Sequence, residues 1–277
     1  MRNIFVLLFL MFITSAASQT HRFIYELQLK MDSTESDYYK FNMVLDINAE
    51  EVKFYGRNLL IADSLNKKFG NMDNKHVDMS GQIVKRTMNS SENENFTNIK
   101  FGYYSFKTTD KMNWTISQET KNVQGYTLQK ATTTFGGRNW TAWFSKDIPF
   151  NEGPFKFRGL PGLIFEIQDS ENNFIYRLIK SLKLPDVYPT DDFLESNFGT
   201  KAIPVTEKQK KKLLMEFYND PFAFERANFS KTNTNLNINI SGKEIRTLDD
   251  LNTQTKNMQE VIRKYNNPIE IDKAIRY

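Results

Sequence analysis

Apolar and polar residues alternate along much of the first two-thirds of this chain. Tyr39, Phe41, Met43, Leu45 and Ile47 fall on one face of an extended segment, with Lys40, Asn42 and Asp46 on the other. That period of two predicts a half-buried strand. Phe23, Tyr25, Leu27 and Leu29 alternate in the same way, and weaker versions occur at 52–55, 99–106, 112–116 and 139–144. The pattern is strong again at 163–168 and 174–179. The polar run Asp169-Ser170-Glu171-Asn172-Asn173 between them predicts a hairpin over 163–179. Short alternating strands without a regular strand–helix rhythm predict a mainly β or α+β fold. Its centre is a curved antiparallel sheet, of which an unclosed barrel is one form, with a few helices.

Two of those helices are predicted towards the C-terminus. Thr206 followed by Gln209 forms a capping box, and Leu213, Leu214 and Phe217 line one face before Pro221 stops the helix. Met258, Val261, Ile262 and Tyr265 share a face within 255–265, which Asn266-Asn267-Pro268 ends. Residues 188–204, with Pro189 and Pro204, read as a connector. Residues 231–252 are polar and Asn-rich and read as a loop with one short strand. The 28 Asn produce several Asn-x-Ser/Thr triplets, at Asn95, Asn113, Asn139 and Asn228, which chance in an Asn-rich chain explains.

Composition narrows the chemistry. The 277 residues include no Cys and two His. Disulfides, thiolate metal centres, a thiol nucleophile and a lipidated cysteine are therefore excluded. The N-terminus has Arg2, an apolar run over 4–13 and small residues at Ser15, Ala16, Ala17 and Ser18. This is the pattern of a signal peptide over 1–18, too short to span a bilayer. It predicts an exported protein, periplasmic or extracellular, with one β-rich domain over 19–277. Loss of Arg2 with the signal lowers the net charge from +4 to +3. Lys210, Lys211 and Lys212 form the one tight basic run, read as the solvated face of a helix, so no nucleic-acid partner is expected.

Residues 114–169 hold all three Trp and half of the twelve Gly. Within them, Gly159-Leu160-Pro161-Gly162-Leu163-Ile164 reads as a tight corner feeding a strand, with Leu160 turned inward. The segment resembles the GLPGLI family of exported bacterial proteins, found mainly in Bacteroidetes and functionally uncharacterised. The hexapeptide is that family's defining motif. Trp114-Thr115-Ile116, Gly125-Tyr126, Gly137-Arg138-Asn139-Trp140-Thr141-Ala142-Trp143-Phe144, Gly153-Pro154-Phe155-Lys156-Phe157 and Asn267-Pro268-Ile269-Glu270 extend the likeness. Leu128 stands where members often have Cys. The resemblance implies export and a β-rich domain and transfers no catalytic residue.

His21 and His76 lie outside any nucleophile motif, no zinc-protease, EF-hand or phosphate-loop pattern occurs, and Asp73 near His76 is no metal site. No metal and no cofactor are expected. Glu152 and Glu166 are the acids in the aromatic segment, and Glu166 is expected to face solvent with Arg138 or Arg158 as its ion-pair partner. Trp140 and Trp143, three apart on a strand, must face opposite sides. With Arg138, Phe155, Phe157, Gly159, Leu160, Pro161 and Gly162 they form a candidate binding or structural motif, read either as core or as an apolar cleft. The sequence thus points to a non-catalytic binding or accessory protein for an apolar ligand or an envelope partner. The alternative is a periplasmic hydrolase using carboxylate or Ser/Lys chemistry.

Overall fold

The computed structural model describes residues 19–70, 78–231, 238–240 and 242–277; the signal-like segment, Asp73 and His76 lie outside them. Six strands come first: β1 (Thr20–Leu29), β2 (Tyr39–Ile47), β3 (Glu51–Gly56), β4 (Ile83–Thr87), β5 (Glu92–Ile99) and β6 (Gly102–Thr109). Helix α1 (Arg57–Phe69) lies between β3 and β4. Five strands follow: β7 (Thr115–Val123), β8 (Tyr126–Phe135), β9 (Arg138–Ser145), β10 (Leu163–Asp169) and β11 (Phe174–Leu184). Each set is an up-and-down meander, and β1 pairs with β11 to join them. With the two-residue β14 (Ile203–Pro204), parallel to β6, they make one twelve-stranded sheet that ends at β14 and β7. The short pairs β12 (Ser196–Asn197) with β13 (Thr200–Lys201), and β15 (Ile238–Ile240) with β16 (Lys243–Ile245), stand apart. Helices α2 (Glu207–Asn219), α3 (Ala223–Lys231) and α4 (Leu248–Lys264) close the chain, with a 3-10 turn at Ile271–Lys273.

The sheet is strongly curved. Tyr176 on β11 and Gln82 at the start of β4 stand four strand positions apart, roughly 19 Å across a flat sheet. Yet the Tyr176 hydroxyl donates to Gln82 Oε1 at 2.7 Å. The concave face carries the main core, including Phe23, Tyr25, Leu27, Met43, Leu45, Phe54, Trp140, Phe144, Leu163 and Tyr176. These are the residues that the period-two pattern placed on one side of each strand.

The opposite face is not left to water over β1–β6. Val44 and Tyr55 pack there with Leu59 and Ala62 of α1 and with Phe193 and Leu194 of the connector. Asp46, which alternation assigns to the polar face, is buried and takes two 2.7 Å bonds from Arg22 and one from the Tyr55 hydroxyl. Helix α1 carries Asp63 and Asn66 on its buried side beside Leu59 and Ala62, so its apolar stripe is interrupted. The Tyr188 hydroxyl satisfies Asp63.

Several elements differ from the pattern. The strand read over 99–106 begins only at Gly102, because Lys100 at φ +54° makes the turn that joins β5 to β6. The capping box at Thr206 forms as expected. The last helix starts two turns earlier than its apolar face, at a second capping box between Thr247 and Asp250. Residues 238–240 and 243–245 form two short antiparallel strands rather than one strand. No helix among the described residues is long and apolar enough to cross a membrane.

Candidate functional site

The loop between β9 and β10 folds over the concave face and positions most of the candidate motif. Gly162 sits where a Cβ would lie 2.0 Å from the Ser145 carbonyl oxygen, so only glycine fits. Gly159 has φ +95°, where a Cβ would meet only the Trp114 ring at an ordinary 3.9 Å, and the Trp114 indole donates to the Arg158 carbonyl beside it at 2.8 Å. Pro161 is exposed at the apex, and Leu160 is fully buried. The amides of Leu163 and Ile164 donate to Ile148 and Glu152, which fixes the corner onto the start of β10.

Phe155 holds φ +54°, a left-handed conformation costly for a bulky residue. That turn sends three successive side chains to three places. Phe155 faces a cleft, Lys156 turns to two carboxylates, and Phe157 packs on Trp140 with ring centroids 4.5 Å apart. Trp140 is buried and donates to the Phe135 carbonyl. Trp143, on the other face, lies half-buried with the Lys121 ammonium 4.4 Å from its ring. Trp140, Phe157 and Leu160 are thus core residues, and Phe155 lines the cleft. Leu128 is fully buried within the same core.

The acids are partnered differently from the sequence expectation. Glu166 pairs with Lys121 at 2.6 Å, not with Arg138 or Arg158. Glu152 is buried against Arg86, with Arg158 3.8 Å away. Burial and Arg158 disfavour the Arg86 charge, which the Glu152 carboxylate balances. Arg138 is buried and bonds Asp169 at 3.0 Å, Asn267 Oδ1 at 2.6 Å and the carbonyls of Pro268 and Ile269. The reach of the chain from 267 to 270 back to β9 is invisible to local pattern. His21 sits at the start of β1 against Phe150, and burial with nearby Lys183 lowers its pKa.

A cleft of about 510 Å³ opens where α2 and the C-terminal segment cross β5 and β6. Its apolar lining includes Phe106, Phe155, Leu214, Ile269, Ile275 and Tyr277. Its charged lining is Glu207, Lys208, Lys210, Lys211, Glu270 and Lys273. Beneath it the Lys156 side chain has no exposure and bridges Asp110 at 3.2 Å and Glu270 at 2.8 Å. Lys273 also reaches Glu270 at 2.7 Å and Glu207 at 3.7 Å. Burial opposes the Asp110 charge, but Lys156, the Thr108 hydroxyl and Lys273 outweigh it and hold the carboxyl below its usual range.

Lys210 corrects the reading of the basic run as a solvated face. Lys211 and Lys212 are exposed, whereas Lys210 is half-buried with its ammonium 4.0 Å from the Phe106 ring centroid. Burial lowers its pKa. The sequence held the cue: Lys210 lies four and seven positions before Leu214 and Phe217, on the apolar face of α2. Among the described residues, no group of three or more His, Cys, Asp or Glu side chains is placed to hold a metal ion.

A family model described as a protein of unknown function, Porph_ging, matches residues 135–166, from the end of β8 through the loop into β10. A search of curated proteins returns no match. Among solved structures, PNGF-II in its C2 space group aligns with TM-score 0.50 and 14% identity over 72% of this chain and 33% of PNGF-II. PNGF-II in its P21 space group aligns with TM-score 0.48 and 14% identity, over 72% and 34% of the two chains. The chain therefore spans about a third of the length of PNGF-II. At this identity the likeness is one of fold.

Proposed function

We propose that the chain is an exported cell-envelope protein of the GLPGLI type, with a single domain over 19–277, that binds an apolar ligand without transforming it. The observation that carries this reading is the cleft between α2, the C-terminal segment and β5–β6. Its volume of about 510 Å³ falls in the range of small-molecule sites, and its lining joins an apolar surface to six charged side chains. The acids that a hydrolase would use there are already engaged: Asp110 and Glu270 by Lys156 and Lys273, and Glu207 by Lys273. The GLPGLI corner serves the site indirectly, since it sets the turn that presents Phe155. Titration of the protein with the neutral fluorophore N-phenyl-1-naphthylamine tests the reading. Saturable enhancement that Leu214→Gln weakens supports it; no saturable binding to the folded protein overturns it.

A further inference from the structure

Among the described residues, Lys210 is the half-buried cation of the cleft that no carboxylate neutralises. Lys156 and Lys273 are bound by Asp110, Glu207 and Glu270. Lys210 projects from the apolar face of α2 onto Phe106, and no carboxylate among the described residues lies within ion-pair distance of it. Glu207 and Glu270 favour its charge from farther off, while Lys156 and Lys273 oppose it. A half-buried ammonium without an anion is a cost to the empty protein that a bound anion would repay. Lys208 and Lys211 stand exposed at the mouth and add positive potential.

We infer that the ligand is an acidic amphiphile whose anionic head seats on the Lys210 ammonium, with its chain laid along Phe106 and Leu214. This rests on the binding reading above and names the class of molecule the same cleft takes. The lowered pKa of Lys210 fits the arrangement, because an anion placed against it would favour the charged form that burial disfavours.

Calorimetric titration of the full chain with dodecanoate and with dodecanol tests the assignment. Dodecanoate should bind roughly tenfold tighter than dodecanol, as expected for one charge-assisted contact. Lys210→Met should remove that preference by weakening dodecanoate alone, and Lys210→Arg should largely restore it. Equal affinity of the two probes for the native protein, or full retention of the preference in Lys210→Met, overturns the anionic head and leaves the apolar cleft standing. Failure of both probes to bind overturns the cleft reading itself.

Discussion

Arg138 and Asn267 are 129 positions apart, and their side chains meet at 2.6 Å. The same guanidinium bonds Asp169 and the carbonyls of Pro268 and Ile269, so four of its contacts are to oxygen. Arginine is suited to this because its fork of donors is rigid and its charge permanent. Replacing Arg138 with Met leaves Asp169 buried without a cation. A loss of about 3–5 kcal/mol is expected in chemical denaturation. Adding Asp169→Asn to that variant should recover part of the loss. Equal midpoints for the single and double variants would contradict the pairing.

The two glycines of the corner should respond differently. Gly159→Ala introduces a methyl at φ +95° that meets only Trp114 at an unstrained 3.9 Å, so it costs conformational strain alone, roughly 1–2 kcal/mol. Gly162→Ala drives a Cβ into the Ser145 carbonyl and should cost more than about 4 kcal/mol or prevent folding. Thermal unfolding of the two purified variants orders them, and near-equal midpoints would argue against the steric account.

Acid should weaken the Lys156 bridge in a defined direction. The folded-state pKa of Asp110 lies below its unfolded value. Its contribution to stability is therefore present above about pH 4 and is lost as pH falls through the folded value. Asp110→Asn should be less stable than the native protein at pH 7, with the gap narrowing by pH 2.5. Denaturant midpoints at the two pH values give the comparison, and a constant gap would count against it.

Trp140 and Trp143 should separate by both energy and light. Trp140→Ala removes a fully buried indole and should cost about 3–5 kcal/mol. Trp143→Ala loses partial burial and a cation–π contact, for roughly 1–2 kcal/mol. Iodide should quench the fluorescence of Trp143 more than that of Trp140 in variants where the other two Trp are Phe. Equal quenching would mean that the two rings share an environment.

The strands were legible wherever one face was apolar and the other polar, as in β1, β2, β10 and β11. The antiparallel character of the sheet followed from the lack of strand–helix rhythm, whereas its curvature rests on contacts such as that of Tyr176 with Gln82, which no local pattern shows. Alternation misled at Asp46, where a polar residue is buried because α1 and the connector cover that face. It hid α1 itself, whose buried stripe includes Asp63 and Asn66. It ran through the turn at Lys100 because the strands on both sides alternate. Of the site, the corner glycines and the inward Leu160 could be read locally. The cleft could not, since it needs α2, the last residues and β5–β6 brought together by the fold. Lys156 gives no sign in sequence that it is buried, because its partners lie 46 positions before it and 114 after it.

The pairing of β1 with β11 also sets an order of events. Every other neighbour in the two meanders is the next strand in sequence, so each of those pairings closes a shorter stretch of chain, with α1 and the β9–β10 loop as the longest insertions. Thr20 must wait for Leu184, more than half the chain later, before the two halves close on each other. Until then β1 has one bare edge and half the concave face lacks its cover. That seam closes the longest stretch of chain of any strand pair in the sheet, so topology makes it the pairing with the highest closure entropy and the one expected to form last.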